Sequence, residues 1–236
     1  MNLKNLRKSK STIITVITVF SLLSAYLLSG IGVLQSLHLK TINTLFSLRG
    51  PMAPIDSSIV IVAIDDQSLA SLPSKYPYPR FYYGKLVNNL KEAGARLIVF
   101  DIEFTEMDNE KIEDDLFFAR AVADARNVIL AGKIVAESGG KGTRYVYPLK
   151  PIAPLLRTFA PWGIVNALND DDGFIRRYIL FLDVSESRYY TIALEAVKFL
   201  EKTAPEIHDF REPVLPIGAH RIRKESGNTM YINYLG

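Results

Sequence analysis

The chain has 236 residues, 48% of them hydrophobic, with 12 Tyr and 12 Phe, so it is long and apolar enough to bury a core and its composition argues against wholesale disorder. A formal net charge of +3, without a long basic face interleaved with aromatics, gives no case for a nucleic-acid partner. Cysteine is absent, which excludes disulfides and thiolate metal centres.

The chain opens on a basic tail, residues 1–10, with Lys4, Arg7, Lys8 and Lys10 and no acid. No Asp, Glu, Lys or Arg follows until residue 40. Roughly 20 apolar residues cross the hydrocarbon layer, so a transmembrane helix is expected over 11–34. The basic flank then places the N-terminus in the cytoplasm and the remainder outside. A cleaved signal peptide and a buried core helix are the competing readings; no clear A-x-A site follows the apolar run. Leu34, Leu37, Ile42, Leu45 and Leu48 fall at mostly helical spacings, which predicts a helical stalk over 35–48. That stripe can pair with its copy in a homodimer or pack on its own domain. Arg49-Gly50-Pro51 ends the stalk, and residues 49–236 form the main domain.

The domain reads as α/β: a mostly parallel sheet flanked by helices, with an additional antiparallel part. SIVIVAI, residues 58–64, has the continuous β-branched pattern of a strand covered on both faces. A helix is expected over 82–93, closed by Gly94, and RLIVFDI, 96–102, is a second buried strand, completing a βαβ unit. A helix over 114–126 and a strand over 127–135 come next. Residues 137–144 are polar and Gly-rich and read as an exposed loop. A short strand is expected at 163–167, a turn at 170–173, a strand at 174–184, a hairpin tip at 185–189 and an amphipathic helix over 191–202. Short strands fill 214–234.

Several stretches together carry a family resemblance. They are Leu48-Arg49-Gly50-Pro51, IVIVAIDDQSL at 59–69, Pro77-Tyr78-Pro79-Arg80, AGARLIVFDIEF at 93–104, DDDGFIRR at 170–177, TIALEA at 191–196 and the closing INYLG. In this order they resemble the second type of CHASE domain, the sensory domain associated with cyclases and histidine kinases, over roughly residues 45–236. The family more often has Trp beside the prolines, and Arg where this chain has Leu235. The resemblance implies an extracytoplasmic sensory domain on an N-terminal helix, usually followed by further membrane helices and a cytoplasmic cyclase or kinase. It names no ligand.

Asp65 and Asp66 end the first expected strand, and Asp101 and Glu103 close the next. Ligands of open parallel sheets bind outside the carboxyl ends of the strands. These carboxylates can hold a divalent cation through oxygen ligands, or grip a cationic ligand. The plainer reading is that Asp65 or Asp66 caps a turn and that Asp101 pairs with Arg80 or Arg96. Asp101 and Glu103 are alternate residues and share a strand face. Asp170-Asp171-Asp172-Gly173 lacks the further ligands of a calcium loop and reads as a turn. Of Arg176 and Arg177, one is expected in solvent and one against the sheet or an acid, with Arg177 a candidate anion ligand. Tyr76, Tyr78, Phe81, Tyr82 and Tyr83 form either the wall of a ligand pocket or a plug on the core. His38, His208 and His220 have no metal-ligand spacing. No phosphate-cradling Gly motif and no nucleophile elbow is present.

The expected function is therefore an extracytoplasmic sensory or ligand-binding domain of a membrane-bound receptor, answering to an unknown small-molecule or protein stimulus and regulating a cytoplasmic nucleotide cyclase outside this sequence. The alternatives are an anchored periplasmic metal-dependent hydrolase and a ligand-free dimerisation or assembly domain.

Overall fold

The computed structural model describes residues 3–30, 33–52, 58–108, 111–139, 142–170 and 172–235, and the chain divides into two units, Met1–Ile61 with Asn233–Gly236, and Val62–Ile232.

The first unit holds two helices, α1 (Leu3–Gly30) and α2 (Val33–Arg49). Among the described residues no helix is long and apolar enough to cross a membrane, so the span expected over 11–34 finds no support there. A helix does cover the stretch expected at 35–48, and it stops where the sequence predicted. Gly50 takes φ +71°, a left-handed conformation that glycine adopts without a Cβ clash, and its N–H bonds to the Phe46 carbonyl at 3.1 Å. The last residues of the chain close on this turn. The Arg49 guanidinium donates to the Asn233 side-chain oxygen and the Tyr234 carbonyl. The Met52 N–H bonds to the Leu235 carbonyl at 2.6 Å, and Phe46 meets Tyr234 edge-on at 6.2 Å.

The second unit is α/β. Its elements are α3 (Asp66–Ser71), α4 (Arg80–Glu92), β1 (Ile98–Glu103), α5 (Ile112–Ala125), β2 (Val128–Gly139), β3 (Gly142–Leu149), α6 (Ala153–Leu156), β4 (Trp162–Ile164), β5 (Arg177–Ile179), β6 (Phe181–Val184), β7 (Ser187–Tyr190), α7 (Ile192–Glu201), β8 (Val214–Ile217), β9 (His220–Arg223) and β10 (Thr229–Tyr231). The first half of β2 is the centre of a parallel sheet, paired with β1 through Ile98 and Val128 and with β4 through Leu130 and Trp162. Its second half runs antiparallel to β3. Three two-stranded antiparallel ladders, β5 with β10, β6 with β7 and β8 with β9, complete the additional antiparallel part.

Parallel strands need crossovers, and these come from α5 between β1 and β2 and from α6 between β2 and β4. Helices α4 and α5 pack against each other, and Gly84 makes that approach possible: a Cβ there would lie 2.6 Å from the Phe117 ring. Tyr83, Phe100, Phe104 and Phe118 interlock beneath them, with ring centroids 4.9–6.2 Å apart and mostly edge-to-face. A second cluster gathers Leu180, Phe181, Leu194, Phe210, Leu215 and Ile217.

Three expectations need correction. Residues 58–64 are not a buried strand: Ile61 is 86% exposed, and no strand ladder includes the run among the described residues. A β-branched sequence favours extended backbone, but a strand needs a neighbour to take its hydrogen bonds. The second edge of β1 has no partner among the described residues, so the parallel unit is β1–α5–β2 and not one that begins at 58. Of the loop expected over 137–144, residues 137–139 and 142–144 are strand instead: β2 and β3 pair as far as Gly139 and Gly142, because a two-stranded ladder satisfies backbone groups whatever the side chains; residues 140–141 lie outside the described residues. The strand expected over 174–184 is two strands, interrupted at Leu180, whose N–H turns to the Asn228 carbonyl.

Candidate functional site

The strand β1 ends at Glu103, and the chain leaves it through residues 104–108. The segment leading into α4, residues 74–80, lies against this stretch, and between them is a cleft of about 520 Å³ lined by Lys75, Tyr78, Arg80, Glu106, Asp108 and Lys111 among others. Its position beyond the carboxyl end of a parallel strand is where ligands of open α/β sheets bind, and its size suits a small molecule.

Local chemistry places each wall. Tyr78 is buried, and its hydroxyl donates to the Ser68 carbonyl at 2.9 Å, tying the Pro-rich segment to the end of α3. Pro79 precedes the first residue of α4 and supplies no side-chain cap, so the first N–H groups of that helix have no capping side chain. Arg80 opens the helix. Its guanidinium lies 4.8 Å over the Phe104 ring, and its side chain is only 17% exposed. It makes one 3.4 Å hydrogen bond, to the Glu106 carbonyl, and a 3.5 Å ion contact from Nε to Asp115 Oδ1. Asp115 is fully buried, and its Oδ2 accepts the Asp108 N–H at 2.7 Å. Neither Arg80 Nε nor Asp115 Oδ1 has a hydrogen-bond partner among the described residues. Buried polar atoms are rarely left so.

The other predicted residues do not converge. Asp65 is the N-cap of α3: it accepts the Ser68 N–H at 2.9 Å and the Ser68 hydroxyl at 2.8 Å, which hold its carboxyl below the usual range. Asp66 is the first residue of that helix and suits its positive end. Asp101 is exposed, and Glu103 pairs with Lys133 at 2.8 Å. Arg80 pairs with Asp115, not with Asp101. Among the described residues no three Asp, Glu or His side chains gather to hold a metal ion. Of the aromatic group, Tyr78 and Tyr83 are buried while Tyr76 stays exposed. Burial pushes the Tyr83 hydroxyl above its ordinary pKa. Trp162 packs in the core against Tyr189.

Both arginines of the 170–177 segment bind acids, where one had been expected in solvent. Arg176, 3% exposed, reaches Asp170 at 2.9 Å and grips Asp172 through two bonds of 2.8 and 2.7 Å. Arg177 donates to Asp170 through Nε at 3.0 Å and Nη2 at 2.6 Å. The Asp172 carboxyl is held below the usual range by Arg176. The turn expected here is present, with the Gly173 N–H on the Asp170 carbonyl at 2.8 Å. Sequence reasoning missed Asp115 and Glu106; an acid inside the apolar face of a predicted helix, as at Asp115, was the available signal.

No curated protein and no solved structure matches this chain. The model of the CHASE2 domain matches residues 14–236. With nearly the whole chain so matched, and with an α/β unit that opens a cleft at the carboxyl end of its parallel sheet, the protein belongs to the CHASE2 domain family, a family of extracytoplasmic sensory domains of signalling receptors rather than of catalytic ones.

Proposed function

We propose that this chain is the ligand-binding sensory part of a membrane-bound signal-transduction receptor, facing outward and regulating a cytoplasmic nucleotide cyclase that lies outside this sequence. The observation that carries the reading is the cleft beyond β1, in a chain of a sensory family: a half-buried guanidinium with one hydrogen bond among the described residues lines a space of small-molecule size. Occupation of such a cleft biases one receptor arrangement over another only by binding it more tightly.

Helix α1 is the proposed anchor. Residues 12–27 carry no charge and turn large apolar side chains outward on every side, as at Phe20, Leu22 and Tyr26. A helix apolar all round requires an apolar surrounding. The side chains described there span sixteen residues, fewer than the roughly 20 that cross a bilayer, but the sequence stays uncharged to Leu39. The four basic residues before it favour a cytoplasmic N-terminus. On α2, Leu37, Leu45 and Leu48 are exposed at helical spacings, which favours a homodimer paired along this stripe.

Because the chain has no native Cys, introduced thiols report its topology cleanly. In intact cells a membrane-impermeant maleimide is expected to label Lys150→Cys, and to label Lys4→Cys only after lysis. The reverse pattern refutes the orientation. Oxidation of Leu45→Cys in membranes is expected to yield a disulfide-linked dimer; monomer alone counts against the pairing.

A further inference from the structure

The unspent donors of Arg80 lie beside an unspent acceptor. Arg80 has five N–H donors and, among the described residues, makes a single hydrogen bond, of 3.4 Å. That bond goes to the carbonyl of Glu106, so the backbone of Glu106 runs next to the guanidinium. Yet the Glu106 carboxylate is exposed and has no ion-pair or hydrogen-bond partner among the described residues. A half-buried cation and a neighbouring exposed acid that do not pair with each other are well placed to be bridged. Arg80 is also preorganised. It lies on the Phe104 ring and its Nε is turned towards Asp115, which leaves Nη1 and the remaining N–H of Nη2, whose other N–H goes to the Glu106 carbonyl, to form a fork. Such a fork matches a carboxylate. The uncapped start of α4, at Arg80 itself, adds positive potential at the same spot. Lys75 and Lys111 on the rim add charge of the same sign.

We infer that the cleft binds a small zwitterion of the α-amino-acid kind, its carboxylate on the Arg80 fork and its ammonium on Glu106. Both signs of charge on one small lining disfavour a dicarboxylate or a phosphate, whose extra negative charge would face Glu106 and Asp108. Tyr78 supplies an apolar wall for the remainder of the molecule. Asp115 is a positioning residue: it holds Arg80 from below and leaves the fork to the ligand. This inference rests on the sensory reading, but the binding test uses the chain in isolation. A failure to bind is therefore separate from a failure of the topology experiment above.

The test is calorimetric titration and thermal melting of the full chain with L-alanine, L-serine, L-glutamate, acetate, succinate and inorganic phosphate. Neutral amino acids are expected to bind and to raise the melting temperature, more strongly than acetate, succinate or phosphate. Arg80→Lys keeps the charge and loses the fork, and is expected to weaken amino-acid binding about 10- to 100-fold. Glu106→Gln, at an exposed position, is expected to weaken the amino acids and leave acetate unchanged. Should Arg80→Lys fail to fold, Glu106→Gln and Lys111→Ala carry the test, because both alter exposed side chains. No response to any probe at millimolar concentration overturns the inference, leaving the Arg80 donors to water. Preference for succinate or phosphate overturns the zwitterion, and binding that neither Arg80→Lys nor Glu106→Gln disturbs overturns the placement.

Discussion

Removing the Asp170 carboxylate tests the charge network that holds β5. Asp170→Ala deletes an acid shared by Arg176 and Arg177, with three charge-assisted bonds of 2.6–3.0 Å. Breaking a buried ion pair by removing one partner costs about 3–5 kcal/mol, because the remaining charge is left without compensation. Here the loss belongs at the low end. Arg176 keeps its two bonds to Asp172, and Arg177 is 28% exposed, so water can replace part of what it loses. About 3 kcal/mol is expected, roughly two powers of ten in the ratio of folded to unfolded chain. For a unit of this size that lowers the midpoint by about 6–12 °C. Denaturant and thermal melts followed by circular dichroism measure it. The double variant Asp170→Leu/Arg176→Met is expected to recover much of the loss, since an apolar pair of similar volume often replaces a buried ion pair at little cost. A loss under about 1 kcal/mol for Asp170→Ala would refute the reasoning, and so would a double variant less stable than the single one.

Phe118 has no exposed surface and touches Tyr83, Phe100 and Phe104, so Phe118→Ala is expected to cost about 3–5 kcal/mol in urea melts; a change below about 1 kcal/mol would mean that this cluster is not the core. Ile61→Lys is expected to change stability by less than about 0.5 kcal/mol, because the side chain is 86% exposed. A loss of several kcal/mol would mean that the run at 58–64 is buried after all. Asp65 and Asp172 both have carboxyls held below the usual range, by Ser68 and by Arg176. A group whose pKa is lower in the folded chain stabilises the fold above its unfolded value, near pH 4, and loses that contribution as pH falls through the folded value. Stability measured from neutral pH downward is therefore expected to fall in acid below about pH 4, and to fall less steeply in Asp172→Asn. Equal slopes for the two proteins would remove Asp172 from the account.

The readings that held are local. Helix α5 and helix α7 lie within a residue or two of the apolar periodicity at 114–126 and 191–202, since a helix draws its hydrogen bonds from its own residues. The Asp65 cap, the left-handed turn at Gly50 and the turn closed by Gly173 are likewise satisfied within five residues, so composition alone determines them. Strand pairing is not local. SIVIVAI has the composition of a buried strand and joins no ladder among the described residues, while polar residues 137–139 and 142–144 do join one, because the partner and not the side chain decides where a strand forms. Charge partners follow the same logic. Arg80 was expected to pair with Asp101, but its choice of Asp115 depends on α4 and α5 packing together at Gly84. The clasp of Arg49 on Asn233 and Tyr234 joins residues more than 180 positions apart, and a Coulomb or hydrogen-bond contact acts only over a few ångströms. Helices, caps, turns and the overall class follow from interactions within a few residues of the chain; which strands meet and which acid faces which base depends on long-range packing, because those energies exist only once distant segments are in contact.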